Sequence, residues 1–290
     1  PRTSMIKELV SVQSGKVALC GLLFLPEGPG PWPAVIVCHG AFEYKENHLA
    51  LCESLVRAGI GALALDMSGH GGSGGERWHV EMASWVRDLT AAADLLQARP
   101  DIDPVRLGAF GFSSGGTAAL EAALVEPRLK ALATLSATVR DMAGAEALGF
   151  RLLVALGKAS LGLRGRELRL SLAWALKTQH FAYDAGVNRA ILADGRMAEA
   201  YASLPFPGSA DCYFADTLAR IGALRSPCLV LHGAEDRLDP VETGRLLYEK
   251  LSCEKRLVIL ARSGHFAHLE SGRFELFAEV VGWMRAHLGT

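Results

Sequence analysis

The chain has no net charge to speak of. Its 290 residues carry 30 basic and 31 acidic side chains, a balance of -1. No global field therefore favours nucleic acid or an anionic surface. No apolar run reaches the ~18 residues of a membrane span, which excludes stable insertion by a helix. The six cysteines form no C-x-x-C pair. Several lie in apolar runs, as at Val37-Cys38 and Cys228-Leu229. They read as free thiols in a reducing compartment, not as a disulfide frame or a metal site. No signal peptide, internal repeat or low-complexity tract is visible. Met5 reads as a natural start preceded by four foreign residues, and a cytoplasmic location is the default expectation.

What is present is apolar bulk: half of the residues are hydrophobic. That suffices for a large single core. The pattern alternates. An opening hairpin is expected around Ser14-Gly15, then strands over 34–38, 60–65, 105–110, 129–135, 228–231 and 256–260. Helical periods fall between them, over 47–58, 82–98, 114–124, 241–251 and 274–288. Strand and helix in alternation predict an α/β fold, a mostly parallel central sheet covered by helices on both faces. The rhythm breaks in the middle. Residues 138–216 contain no convincing strand and read as a helical insertion, with helical stretches at 145–159 and 168–181. The core is thus expected as 1–137 and 217–290, with 138–216 as a lid or cap.

Gly111-Phe112-Ser113-Ser114-Gly115 follows one strand and opens one helix, the context in which G-x-S-x-G carries chemistry. A nucleophile on so sharp a turn crowds its neighbours two residues either side, which Gly111 and Gly115 accommodate. The helix start behind Ser113 offers free amides to a developing oxyanion, Ser114's first. Ser114 as the nucleophile itself would place Phe112 where a small residue is required. A serine needs a base, and the base an orienting acid. Asp236 lies in the loop after strand 228–231 and His265 in the loop after strand 256–260. Their chain order is Ser, Asp, His. Glu235 and Asp239 are rival acids, with Asp239 also a candidate cap for the following helix. His268 and His232 are rival bases with more local roles. A second oxyanion amide is expected from the loop after strand 34–38, from Ala41 first and Phe42 second. Gly40 lets that backbone turn in close, and His39 is expected to bond within its own loop. Gly69-His70-Gly71-Gly72-Ser73-Gly74 spells a dinucleotide fingerprint. No helix follows it directly, so nicotinamide or flavin is not expected.

These motifs together resemble the α/β-hydrolases. They occur in that family's order: His39-Gly40, Asp66-Met67-Ser68-Gly69-His70-Gly71, Gly111 to Gly116, His232 to Asp236, and Gly264-His265. The resemblance covers most of 17–288 apart from the insertion. It is closest to the lidded group of cinnamoyl/feruloyl esterases and monoacylglycerol-lipase-like enzymes, and extends to dienelactone-hydrolase-like and acyl-thioesterase members. It implies Ser113, Asp236 and His265 as a triad, the Ala41 and Ser114 amides as the oxyanion hole, and a structural role for the 66–73 loop. It also implies no cofactor and no metal. Ser114 departs from the Gln or Met common after the nucleophile, and the insertion is longer than a typical esterase lid.

The expected substrate is a small ester with a hydrophobic or aromatic part. A thioester or a carbon–carbon bond is the alternative with the same triad, and a ligand-binding receptor without turnover the alternative of another class. Phe150, Leu153, Leu156, Leu161, Leu168, Leu172, Trp174, Leu176 and Phe181 are expected to form the insertion's core and seam, with some lining a pocket. Lys158, Arg164, Arg166, Arg169 and Lys177 make it locally basic. That reads as a solvated face, or as attraction for an anionic substrate or a lipid surface. A homodimer is compatible with all of this, and no nucleic-acid partner is expected.

Overall fold

A computed structural model describes residues 5–289. The chain runs β1 (Met5–Ser14), β2 (Val17–Pro26), β3 (Trp32–Cys38), α1 (Leu49–Arg57), β4 (Gly61–Leu65), α2 (Met82–Gln97), β5 (Ile102–Phe112), α3 (Ser114–Val125) and β6 (Leu129–Leu135). It continues through α4 (Gly144–Arg164), β7 (Leu168–Leu170), α5 (Ala173–Leu176), α6 (Ala185–Leu192), α7 (Gly195–Ala202) and β8 (Leu204–Phe206). It closes with β9 (Cys228–Gly233), α8 (Val241–Lys250), β10 (Lys255–Leu260) and α9 (Arg273–Leu288).

Eight strands form one sheet in the order β1-β2-β4-β3-β5-β6-β9-β10. Only the β1–β2 and β2–β4 pairs are antiparallel; every later pair is parallel. β4 is buried at every position and β3 at all but its first. Strands covered on both faces have no solvent side to alternate toward, which is why these segments read as unbroken apolar runs. α1 and α9 pack together on one face, while α2 packs on α3 on the other. α1 buries Leu51, Cys52, Leu55 and Val56, and α9 buries Leu276, Phe277, Val280, Trp283, Met284 and Leu288. This is the 3.6-residue period turned toward a sheet.

The chain leaves β3 to build β4 on one side, then crosses back to build β5 on the other. Strand order reverses there, the usual ligand position in an open parallel sheet, and the loops at the carboxyl ends of β3 and β5 meet at that point.

The segment between β6 and β9 corrects the expectation of a strandless insertion. β7 and β8 form an antiparallel two-stranded ribbon, pairing Leu168 with Phe206 and Leu170 with Leu204. The stretch from 168 therefore opens as a strand and turns helical only at α5. Its partner lies more than thirty residues away, so no local period announces it. α4 is longer than expected and stops at Gly165, whose φ of 62° is the left-handed cap geometry glycine favours. Of the apolar residues assigned to this segment's core and seam, Leu176 and Phe181 are buried, and Phe150, Leu153, Leu168 and Leu172 half-buried. Leu156, Leu161 and Trp174 face solvent instead, together with Leu148, Leu152 and Leu163. Lys158, Arg164, Arg166, Arg169 and Lys177 are exposed. No helix among the described residues is long and apolar enough to cross a membrane.

All six cysteines are free; Cys38, Cys52 and Cys228 are buried and the rest half-buried. Burial pushes the Cys38, Cys52 and Cys228 thiols well above their usual range, so they behave as apolar filling.

Candidate active site

β5 ends at Phe112 and α3 begins at Ser114, leaving Ser113 alone in the turn with φ 51° and ψ −123°. A non-glycine residue held there is strained, and such strain persists only where the surroundings over-determine it. The glycines show how. A Cβ on Gly111 would lie 2.2 Å from the Gly115 carbonyl oxygen, and one on Gly115 would lie 2.2 Å from that of His39. β5, α3 and the loop after β3 thus touch backbone to backbone. A Cβ on Gly40 would meet the Phe112 ring at 2.9 Å and the Ser113 Cβ at 3.1 Å, so the β3 loop presses directly on the turn.

The structure brings Ser113, His265 and Asp236 into one chain of hydrogen bonds. The Ser113 hydroxyl lies 3.1 Å from His265 Nε2, and His265 Nδ1 lies 2.7 Å from Asp236 Oδ2. The other Asp236 oxygen accepts the Leu238 and Asp239 amides at 3.0 and 2.9 Å. Asp236 is thereby locked as an acceptor, and His265 must carry its proton on Nδ1 to satisfy it, leaving Nε2 to accept from Ser113. Burial alone would raise the Asp236 carboxyl; the adjoining His265 and His232 hold it far below the usual carboxylate range. Burial alone would lower His265, but Asp236 raises it above its ordinary value, with Asp239 and Glu43 adding to the effect.

The rivals lie elsewhere. Ser114 is buried as the first residue of α3, where its amide precedes any helical pairing. Glu235 is exposed. His232 bonds locally, to the Asp239 carbonyl at 2.7 Å. The N-cap of α8 is Pro240, not Asp239; the Asp239 carboxyl is buried and raised by that burial, with Thr243 of α8 opposing the effect. His268 is buried on Glu43, 2.9 Å away, not beside Ser113. In the loop after β3, the Phe42 amide donates to His70 Nε2 at 3.1 Å. The Ala41 amide has no partner among the described residues, so of the two loop amides Ala41's is the one left to receive a ligand.

The glycine-rich loop after β4 acts as a buttress. The Asp66 carboxylate, fully buried, accepts from the Lys45 amide, the Lys45 ammonium and the Gly72 amide at 2.8, 2.7 and 2.8 Å. His39 donates to the Gly40 carbonyl and accepts from the Met67 amide. The β3 loop is thus tied to the 66–72 loop through both histidines and Lys45.

Two buried carboxylates escaped the sequence reading. Glu43 and Glu270 are each 1% exposed. Glu270 accepts the Gly264 amide and, from the segment before α6, the Asp184 amide, both at 2.8 Å. Glu43 accepts from four donors: the Gly40 amide, Asn47, His48 and His268. Glu43, His48 and His268 also meet the spacing of metal ligands, but both Glu43 oxygens already carry donors. A carboxylate three residues beyond Gly40 in an otherwise uncharged turn was the available signal.

A cavity of about 240 Å³ is lined by Phe42 and Phe266, the chain neighbours of Ala41 and His265, and by Val187, Ile191 and Met197 of α6 and α7; Ser113, His265 and Asp236 themselves do not line it. None of the nine apolar residues expected from α4 to Phe181 lines it; the pocket-facing helices are the next two along the chain.

Comparison with known proteins agrees with this architecture. A family model described as "Serine aminopeptidase, S33" matches residues 30–272. The chain is 25% identical over 272 residues to a monoacylglycerol lipase of Mycolicibacterium smegmatis, covering 89% of this chain and 90% of that one. It is 33% identical over 133 residues to esterase FrsA of Escherichia coli O157:H7, covering 44% of this chain and 31% of that one. Among solved structures, the α/β hydrolase GrgF from Penicillium sp. sh18 superposes with a TM-score of 0.81 at 18% identity, over 99% of this chain and all of that one. With the sheet order, the elbow at Ser113 and this match over most of its length, the chain belongs to the serine aminopeptidase S33 family of α/β-hydrolases and is a hydrolase.

Proposed function

We propose that the protein is a serine esterase that transfers an acyl group to water through Ser113, His265 and Asp236. One observation carries the reading: the unbroken hydrogen-bond chain from the Ser113 hydroxyl through His265 to Asp236, at the carboxyl end of the sheet. Ser113 Oγ attacks the ester carbonyl while its proton passes to His265 Nε2. The Ala41 and Ser114 amides take the oxyanion. The carbonyl re-forms, the alkoxide leaves with the proton from His265, and an acyl-Ser113 remains. Water then repeats the sequence, releasing the acid and restoring Ser113.

The cavity supports a neutral, apolar ester over a substrate bearing a free amine. Its two carboxylates are already engaged. Glu43 is saturated by four donors, and Asp194 accepts from Tyr44 and from the first amides of α7. The remaining lining is mainly aliphatic and aromatic. Such a wall suits an acyl or alcohol group of modest size, and the similarity to a monoacylglycerol lipase points the same way. We assign 138–216 the role of a lid: the 181–184 stretch rests on the His265 loop, Phe181 accepting the Phe266 amide at 2.9 Å. The test is hydrolysis of p-nitrophenyl esters of graded chain length, acyl thioesters and aminoacyl anilides. Ester turnover abolished in Ser113→Ala is expected. Preferred cleavage of the anilides would overturn the substrate reading, and undiminished activity in Ser113→Ala would overturn the site.

A further inference from the structure

Glu43 stands outside the triad, yet it touches both halves of the centre. Its Oε2 accepts the Gly40 amide at 3.0 Å, one residue before Ala41. Its Oε1 accepts His268 Nε2 at 2.9 Å, and His268 lies three residues after His265 in the same short turn. Asn47 and His48 complete the four donors at 2.9 and 3.1 Å. The His48 and His268 rings stack at 4.4 Å, and Phe112, the residue before Ser113, packs on His268 at 4.5 Å and on His265 at 5.0 Å. Nδ1 of both His48 and His268 is buried and has no partner among the described residues.

We propose that Glu43 is a positioning residue for catalysis: one buried carboxylate clamps the loop presenting the Ala41 amide to the turn presenting His265. The inference rests on the triad assigned above. The oxyanion donor and the general base come from distant parts of the chain, and nothing in β3 or β10 alone fixes their separation. Glu43 closes that gap with two hydrogen bonds. Its charge does further work. Burial would raise the Glu43 carboxyl, but His48 and His268 hold it well below the usual range, so it is an anion at working pH. His268 is lowered to about 4 and is neutral there. The groups acting on His265 are thus Asp236, Asp239 and Glu43, all favouring its protonated form, against burial. As His265 becomes an imidazolium in the transition state, Glu43 stabilises it through space.

The test is Glu43→Gln, with Glu43→Asp and His268→Leu beside it. The first readout is the rate at which a fluorophosphonate labels Ser113, across pH, which requires no knowledge of the substrate. The second is kcat and KM on a p-nitrophenyl ester. Glu43→Gln is expected to label and turn over about 10- to 100-fold more slowly, less than the loss of a whole oxyanion donor, with KM changed less than about threefold. Its acid limb should move to lower pH. Glu43→Asp should recover part of the rate and the wild-type acid limb. His268→Leu keeps the charge of Glu43 but removes one donor and so cuts one tether; its rate should fall while its acid limb stays near wild type. Folded Glu43→Gln protein with wild-type labelling and an unmoved acid limb overturns the inference. So does a variant that melts earlier while its folded fraction keeps full activity. If Glu43→Gln does not fold, His268→Leu decides: an unchanged rate overturns the clamp. Failure of the wild type to label at Ser113 condemns the triad assignment instead, and the two failures are therefore distinguishable.

Discussion

Asp236→Asn replaces one buried oxygen by an NH2 group, and the structure dictates which one. Oδ1 of Asp236 accepts two backbone amides, from Leu238 and Asp239. Turning the new NH2 toward them would set donor against donors and forfeit two buried hydrogen bonds, about 2 kcal/mol or more. The amide therefore turns its NH2 toward His265 Nδ1, which lies 2.7 Å from the present Oδ2. Nδ1 must then accept, the ring proton moves to Nε2, and Nε2 faces the Ser113 hydroxyl 3.1 Å away as a donor. The base is present but in the wrong tautomer. In serine hydrolases with this arrangement the loss is about 10⁴ in kcat, which corresponds to about 5 kcal/mol of transition-state stabilisation. The assay is steady-state hydrolysis of a short p-nitrophenyl ester near neutral pH, with KM expected within a few-fold of wild type. Glu235→Gln, one residue away but exposed, serves as the control and should keep full activity. If Asp236→Asn retains more than about a tenth of kcat, the tautomer argument is wrong and another group orients His265.

Further outcomes follow from the same contacts. With the proposed triad, turnover needs neutral His265, whose pKa is raised above 6.5 chiefly by Asp236 against burial, so kcat/KM should rise with pH through a midpoint above 6.5; a lower midpoint contradicts the buried ion pair. Gly115→Ala drives a Cβ to 2.2 Å from the His39 carbonyl and should cost about 2 kcal/mol or more in urea denaturation. Gly149→Ala, mid-helix in α4 with nothing within 4 Å, should stabilise by up to about 1 kcal/mol. Lys45→Met strands the Asp66 carboxylate, whose side chain is 0% exposed and 2.7 Å from the Lys45 ammonium; a loss of about 3–5 kcal/mol is expected, and a loss under about 1 kcal/mol would show that backbone donors alone satisfy Asp66.

The division between sequence and structure follows the range of the forces involved. Strands such as β3 and β4 are buried on both faces, so their apolar runs are legible along the chain. Ser113, Asp236 and His265 each sit directly after a strand, and strand order in a parallel sheet delivers strand ends to one edge. That rule let a sequence pattern nominate groups 29 and 152 residues apart that the fold places in hydrogen-bond contact. Where pairing is between distant segments, sequence reading fell short. The β7–β8 ribbon joins residues with no shared period. Part of the apolar side of α4, read as buried, lies open at Leu156 and Leu161, while α6 and α7 line the cavity instead. Glu43 shows the limit most sharply. As a letter in the chain it is a charge in a loop; only tertiary structure, by burying it under four donors from three stretches of chain, makes it the carboxylate that ties the Gly40 amide to His268.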